Sequence, residues 1–99
     1  MPIRGTIRFE SVTVAGTAIG MTITRANGML PEAAVVQVED AAIRFRIDGN
    51  DPTASVGHSR EVGQGVELVS RDEVQKFRAI RRDGVSATLR ITQGIEYLA

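Results

Sequence analysis

The chain has no cysteine and no tryptophan, and Lys76 and His58 are its only lysine and histidine. Without cysteine there is no disulfide framework and no thiolate metal site, which suits a reducing compartment. No apolar run approaches the roughly 20 residues of a membrane-spanning helix. Met1 to Gly5 lacks the basic stretch and apolar run of a secretion signal. A protein made and kept in a cytosol, or assembled there, is the expectation. The formal net charge is zero, with twelve basic and twelve acidic residues. A duplex nucleic-acid binder carries a basic excess, so no nucleic-acid partner and no membrane partner are expected. The four aromatic residues are Phe9, Phe45, Phe77 and Tyr97. The three phenylalanines fall on apolar parities and are expected in the core. That leaves no stacking platform for sugars or bases.

What is present is alternation. In 99 residues, enough for one core burying roughly two-thirds of the extended-chain surface, the clearest segment is Ala41 to Pro52. Ala41, Ile43, Phe45 and Ile47 lie on one parity and Arg44, Arg46 and Asp48 on the other, the period of a half-buried strand. Asp48-Gly49 and Asn50-Asp51-Pro52 then form a dense turn signal. Ile3 to Phe9 alternates too, and after Glu10 the parity passes to Val12 and Val14, the mark of a bulge or break. Further strands are expected over Ile19–Ile23, Ala34–Val38, Val66–Leu68, Lys76–Arg81 and Val85–Ile91. Turns are expected at Ala15-Gly16, at Asn27-Gly28, over Glu61–Gly65, and as a hairpin at Arg82-Asp83-Gly84. Ser70 and Glu73 fit a capping box that starts one helical turn. About seven short strands without long helical patterns predict an all-β fold, a single antiparallel β-sandwich domain over residues 1–99.

Few residues offer chemistry. Asp48, Asn50 and Asp51 could gather oxygens for calcium. An EF-hand loop from Asp48 needs glycine and glutamate where Thr53 and Ser59 stand, so backbone-capping Asx turns are the better reading. His58 has no carboxylate or nucleophile at useful spacing except the adjacent Ser59, which points the other way on an extended chain. Gly57, Gly63 and Gly65 precede no helix, so they read as turns and not as a phosphate loop. Eleven of the twelve basic residues are arginine, whose planar fork suits bidentate pairs and interfaces. Arg44, Arg46, Arg78 and Arg90 lie on outer parities of three expected strands. On neighbouring strands they would form a basic stripe for a carboxylate-rich protein surface or a phosphate backbone, or else a solvated face balanced by Glu39, Glu67 and Asp83.

Ile43 to Thr53, with Lys76-Phe77-Arg78-Ala79-Ile80 and the strand Val85 to Ile91, resembles the C-terminal Ig-like domain of chitobiase-type proteins. The Pro52-Thr53 loop leading to Gly57-His58, and then the Phe-Arg-Ala-Ile strand, is also similar to a group of small phage virion proteins. These are head decoration, cement and fibre components. The resemblance implies an Ig-like sandwich and a non-enzymatic structural protein of a virion, made in the host cytoplasm. Its expected partners are the major capsid protein or other virion proteins, bound in many copies or as a homo-oligomer, with Arg44, Arg46, Arg78 and Arg90 at the contact. No cofactor, metal or catalytic residue is expected. A tail, neck or fibre accessory and a carbohydrate-binding module are the alternatives.

Overall fold

The structure, a computed structural model, describes residues 5–23 and 30–95, with side chains from Arg8 onward. The expectations for Ile3, the Asn27-Gly28 turn and Tyr97 lie outside them. Seven strands and one short helix follow in the order β1 (Gly5–Val14), β2 (Ala33–Glu39), β3 (Ile43–Arg46), β4 (His58–Arg60), β5 (Gly65–Leu68), α1 (Arg71–Lys76), β6 (Arg78–Arg81) and β7 (Ala87–Ile95). A four-stranded sheet ordered β1-β7-β2-β5 faces a three-stranded sheet ordered β4-β3-β6, and every pairing is antiparallel. The molecule is an all-β sandwich.

The alternating residues build the core. Val36 and Val38 of β2, Leu68 of β5 and Leu89 and Ile91 of β7 point inward from the larger sheet. Ile43, Phe45 and Ala79 meet them from the smaller one. The Phe45 and Phe77 rings stack with centroids 5.8 Å apart. Ser70 caps α1 by accepting from Glu73 N–H at 3.1 Å, while the Glu73 carboxylate accepts from Val69 N–H. The helix buries Val74.

Three expectations are corrected. The bulge in β1 falls between Thr6 and Arg8, not after Glu10. From Arg8 onward the inward residues are Arg8, Glu10, Val12 and Val14, so Phe9 faces outward, 61% exposed. The Ile19–Ile23 strand is replaced by one bridge between Ile19 and Ala79, where the chain after β1 hydrogen-bonds to the edge of β6. Arg82-Asp83-Gly84 is no hairpin, because it carries the chain from the smaller sheet to the larger one. Val85 accordingly lies outside β7, 59% exposed. Among the described residues only β3 and β4 are both consecutive and paired. β4 itself, His58–Arg60, has no counterpart among the expected strands.

Candidate functional site

The segment between β3 and β4 is the most heavily braced loop described, and three of the four singled-out arginines brace it. Arg44 of β3 donates through Nε to Ala54 O and through Nη1 to Gly57 O, both at 3.1 Å. Arg46, two residues on and on the same face, forms a two-pronged ion pair with Asp48. Arg78, opposite Arg46 in the β3–β6 register, donates to Asp51 Oδ1 at 2.8 Å and to Ala18 O at 2.9 Å. Charge-assisted bonds of this kind are shorter and stronger than neutral ones.

The loop also braces itself. Asp48 Oδ1 accepts from Asn50 N–H at 3.1 Å, an Asx turn with Gly49 at φ 87°. Thr53 Oγ1 accepts from the Ser55 and Val56 N–H groups. Pro52 is buried. Gly57 sits at φ 135°, and a Cβ there would lie 3.0 Å from Phe45 O and 3.1 Å from Pro52 Cβ. Only glycine meets both conditions comfortably. The Arg46 guanidinium and the Asn50 N–H hold the Asp48 carboxyl well below the usual carboxylate range.

Arg90 does not join this group. It lies on β7, on the outer face of the other sheet, where it bonds Glu39 at 2.8 Å and Ser11 Oγ at 2.6 Å. The expected stripe is therefore three arginines on one face and one on the opposite face. The partners Asp48, Asp51 and Glu39, with three backbone carbonyls, occupy them.

Beside the braced loop two concavities adjoin, sharing Ile47 and His58. One, of about 370 Å³, lies against Arg46, Asp48 and Val56. The other, of about 280 Å³, opens between β4 and β5, where neither sheet has a further strand among the described residues. Its floor is Phe45, against which His58 packs at 5.3 Å between ring centroids and over which the Arg60 guanidinium lies at 5.2 Å. Ser59 Oγ accepts from Arg82 Nη1 at 2.7 Å, on the opposite side of β4 from His58. Adjacent in sequence, the two do not form a nucleophile–base pair. Among the described residues no three His, Asp or Glu side chains gather as a metal site.

Sequence reasoning missed Arg60, Arg82 and the exposed Phe9. Arg60 falls just before the expected Glu61–Gly65 turn, outside any expected strand, and Arg82 falls in the expected Arg82-Asp83-Gly84 turn. Arg82 binds Glu61 and Asp83, and both carboxylates push its pKa further up. Comparison of the chain with family models, with curated proteins and with solved structures finds no match.

Proposed function

We propose that the protein is a non-enzymatic structural protein of a phage particle, in the first place a capsid decoration or cement protein. The observation that carries this reading is the braced 47–57 loop. The residues that resemble the virion group there, Pro52-Thr53 and Gly57-His58, lie in this loop, which Arg44, Arg46 and Arg78 hold in place beside an open concave edge. A pre-ordered loop loses little entropy on docking, which favours binding from a small contact. Many copies on a symmetric shell would add avidity to weak individual contacts. In this account the arginines present the contact surface and do not themselves make it.

A carbohydrate-binding module is the second reading, favoured by one observation. Phe9 stands exposed on a face with Thr92, its register partner, beside it. Co-sedimentation with empty cognate capsids lacking the protein, run against immobilised polysaccharides, separates the readings. Binding to capsids is expected, and it should weaken when Arg44 and Arg46 are both replaced by Ser, because the loop then loosens. Binding to a glycan and not to capsids discards the cement reading. Binding to neither turns the search to tail, neck or fibre components.

A further inference from the structure

We infer that β1 is a self-pairing edge: two copies of the chain join their larger sheets antiparallel along β1, with Phe9 on the two-fold axis. This deepens the expectation of many copies by naming the surface and register, and it stands on the fold whether or not the virion reading does.

The direction of the edge follows from the ladder. Val38 N–H donates to Gln64 O at 3.0 Å, and Val38 O accepts from Gly63 N–H at 2.8 Å, so both groups of Val38 face β5. Backbone groups alternate sides along an antiparallel strand. Gln37 and Glu39 therefore face β7, and their partners Arg90 and Thr88 face β2. Leu89 and Ile91 then face β1, and their partners Val12 and Glu10 face back toward β7. The N–H and C=O groups of Phe9, Ser11 and Thr13 are left pointing away from the sheet. Among the described residues β1 is the outermost strand, and no backbone bond from these three to another described segment exists beyond β7.

The side chains select a second copy as the occupant. With Phe9 opposite Phe9, Arg8 of each copy lies directly opposite Glu10 of the other. Arg8 and Glu10 share the inward face of β1, 3.4 Å apart, and the Glu10 side chain is only 10% exposed. Arg8 Nε is buried without a hydrogen-bond partner, and Glu10 already accepts from Thr22 N–H at 2.8 Å beside its pair with Arg8, so the second copy adds an opposite charge across the axis to each of them. Inward charges and a bulge normally keep foreign apolar strands off an edge. A second copy in this register meets each of those charges with its opposite. On the outer face the two exposed Phe9 rings meet across the axis, the aromatic cross-strand pairing that stabilises sheets. A register with Ser11 on the axis would instead set Arg8 and Glu10 against Val14 and Val12.

The bulge between Thr6 and Arg8 ends regular pairing, so the contact is short. It falls below the roughly 1,200 Å² of a stable complex, and the association is accordingly weak. Sedimentation equilibrium from ~10 µM to ~1 mM, a range that covers weak affinities, should show the average mass rising toward twice the monomer. Phe9→Lys, an exposed change, should stay monomeric with an unaltered melting curve. Arg8→Glu and Glu10→Arg should each stay monomeric alone and associate when mixed, because only the mixture restores opposite charges. A wild-type chain that is monomeric throughout overturns the proposal, and so does a mixture that fails to associate while both variants fold. Should either charge variant misfold, single-cysteine variants decide, since the native chain has none. Oxidised Phe9→Cys should cross-link in preference to Ser11→Cys, and the reverse preference overturns the register.

Discussion

The two outer faces of the sandwich treat their polar groups in opposite ways. On the smaller sheet, long arginines reach out and fasten backbone carbonyls and carboxylates of one loop, so the face is covered by its own chain. On the larger sheet, Ser11, Thr13, Thr88 and Gln37 are short or neutral, and Arg90 and Glu39 satisfy each other. That face stays bare, and among the described residues it ends in an edge strand, β1. The lesson is that arginine on an outer strand parity marks a brace as readily as a contact. What distinguishes the two is whether a loop rich in Asp, Asn and carbonyls lies within reach.

The comparison can be broken at four levels of effect. The two faces share one core, so truncation from either side should cost the same order of stability. Leu89→Ala and Phe45→Ala, at 1% and 4% exposure, should each lose about 3–5 kcal/mol in a single denaturant transition. A loss confined to one of them would mean the sheets are not one cooperative unit. Next comes Gly57→Ala, which must hold φ 135° against the Phe45 carbonyl and should lose about 2–3 kcal/mol. Gly84→Ala, also at positive φ but with nothing within 4 Å, should cost less, because only backbone strain remains.

The third test is the sharpest contrast between the faces. Arg44→Ser removes both bonds to the loop carbonyls and should cost about 1–2 kcal/mol. Gln37→Ala on the bare face should stay within about 0.5 kcal/mol. Equal losses would erase the distinction. The smallest effect is acid loosening of the loop. The Asp48 pKa is depressed in the folded state, first by the Arg46 hydrogen bond and then by the Asn50 N–H. Its contribution is therefore complete above the ordinary aspartate value of about 4 and lost only as pH falls below that, toward the folded value. The Asn50 amide resonance should accordingly hold steady above pH 5 and shift only in strong acid. A titration near neutrality would break the assignment.

The fold class was legible because β2, β3 and β7 alternate without interruption, as in Ala34-Val36-Val38 and Ala87-Leu89-Ile91. The connections were not. A turn signal such as Arg82-Asp83-Gly84 reports a change of direction but not whether the next strand pairs with the last or crosses to the other sheet. Phe9 was misread because a bulge moves the parity of everything after it, and nothing local separates a bulge at Ile7 from one after Glu10. Arg90 was grouped with Arg44, Arg46 and Arg78 because parity places a side chain on a face but does not say which sheet carries it. The Asx turn at Asp48 was legible, since it needs only local residues. The arginine braces span up to 60 residues of sequence, as between Arg78 and Ala18, and only the assembled sheets bring them together.

Amide hydrogen exchange read residue by residue tests the central contrast most directly. In dilute solution the account predicts fast exchange at Phe9, Ser11 and Thr13, slow exchange at Val12 and Glu10, and protection of Val56, whose N–H bonds Thr53. The three edge amides should gain protection as concentration rises. Edge amides already protected at high dilution, or a Val56 amide exchanging as freely as they do, would contradict the picture of one braced face and one open edge.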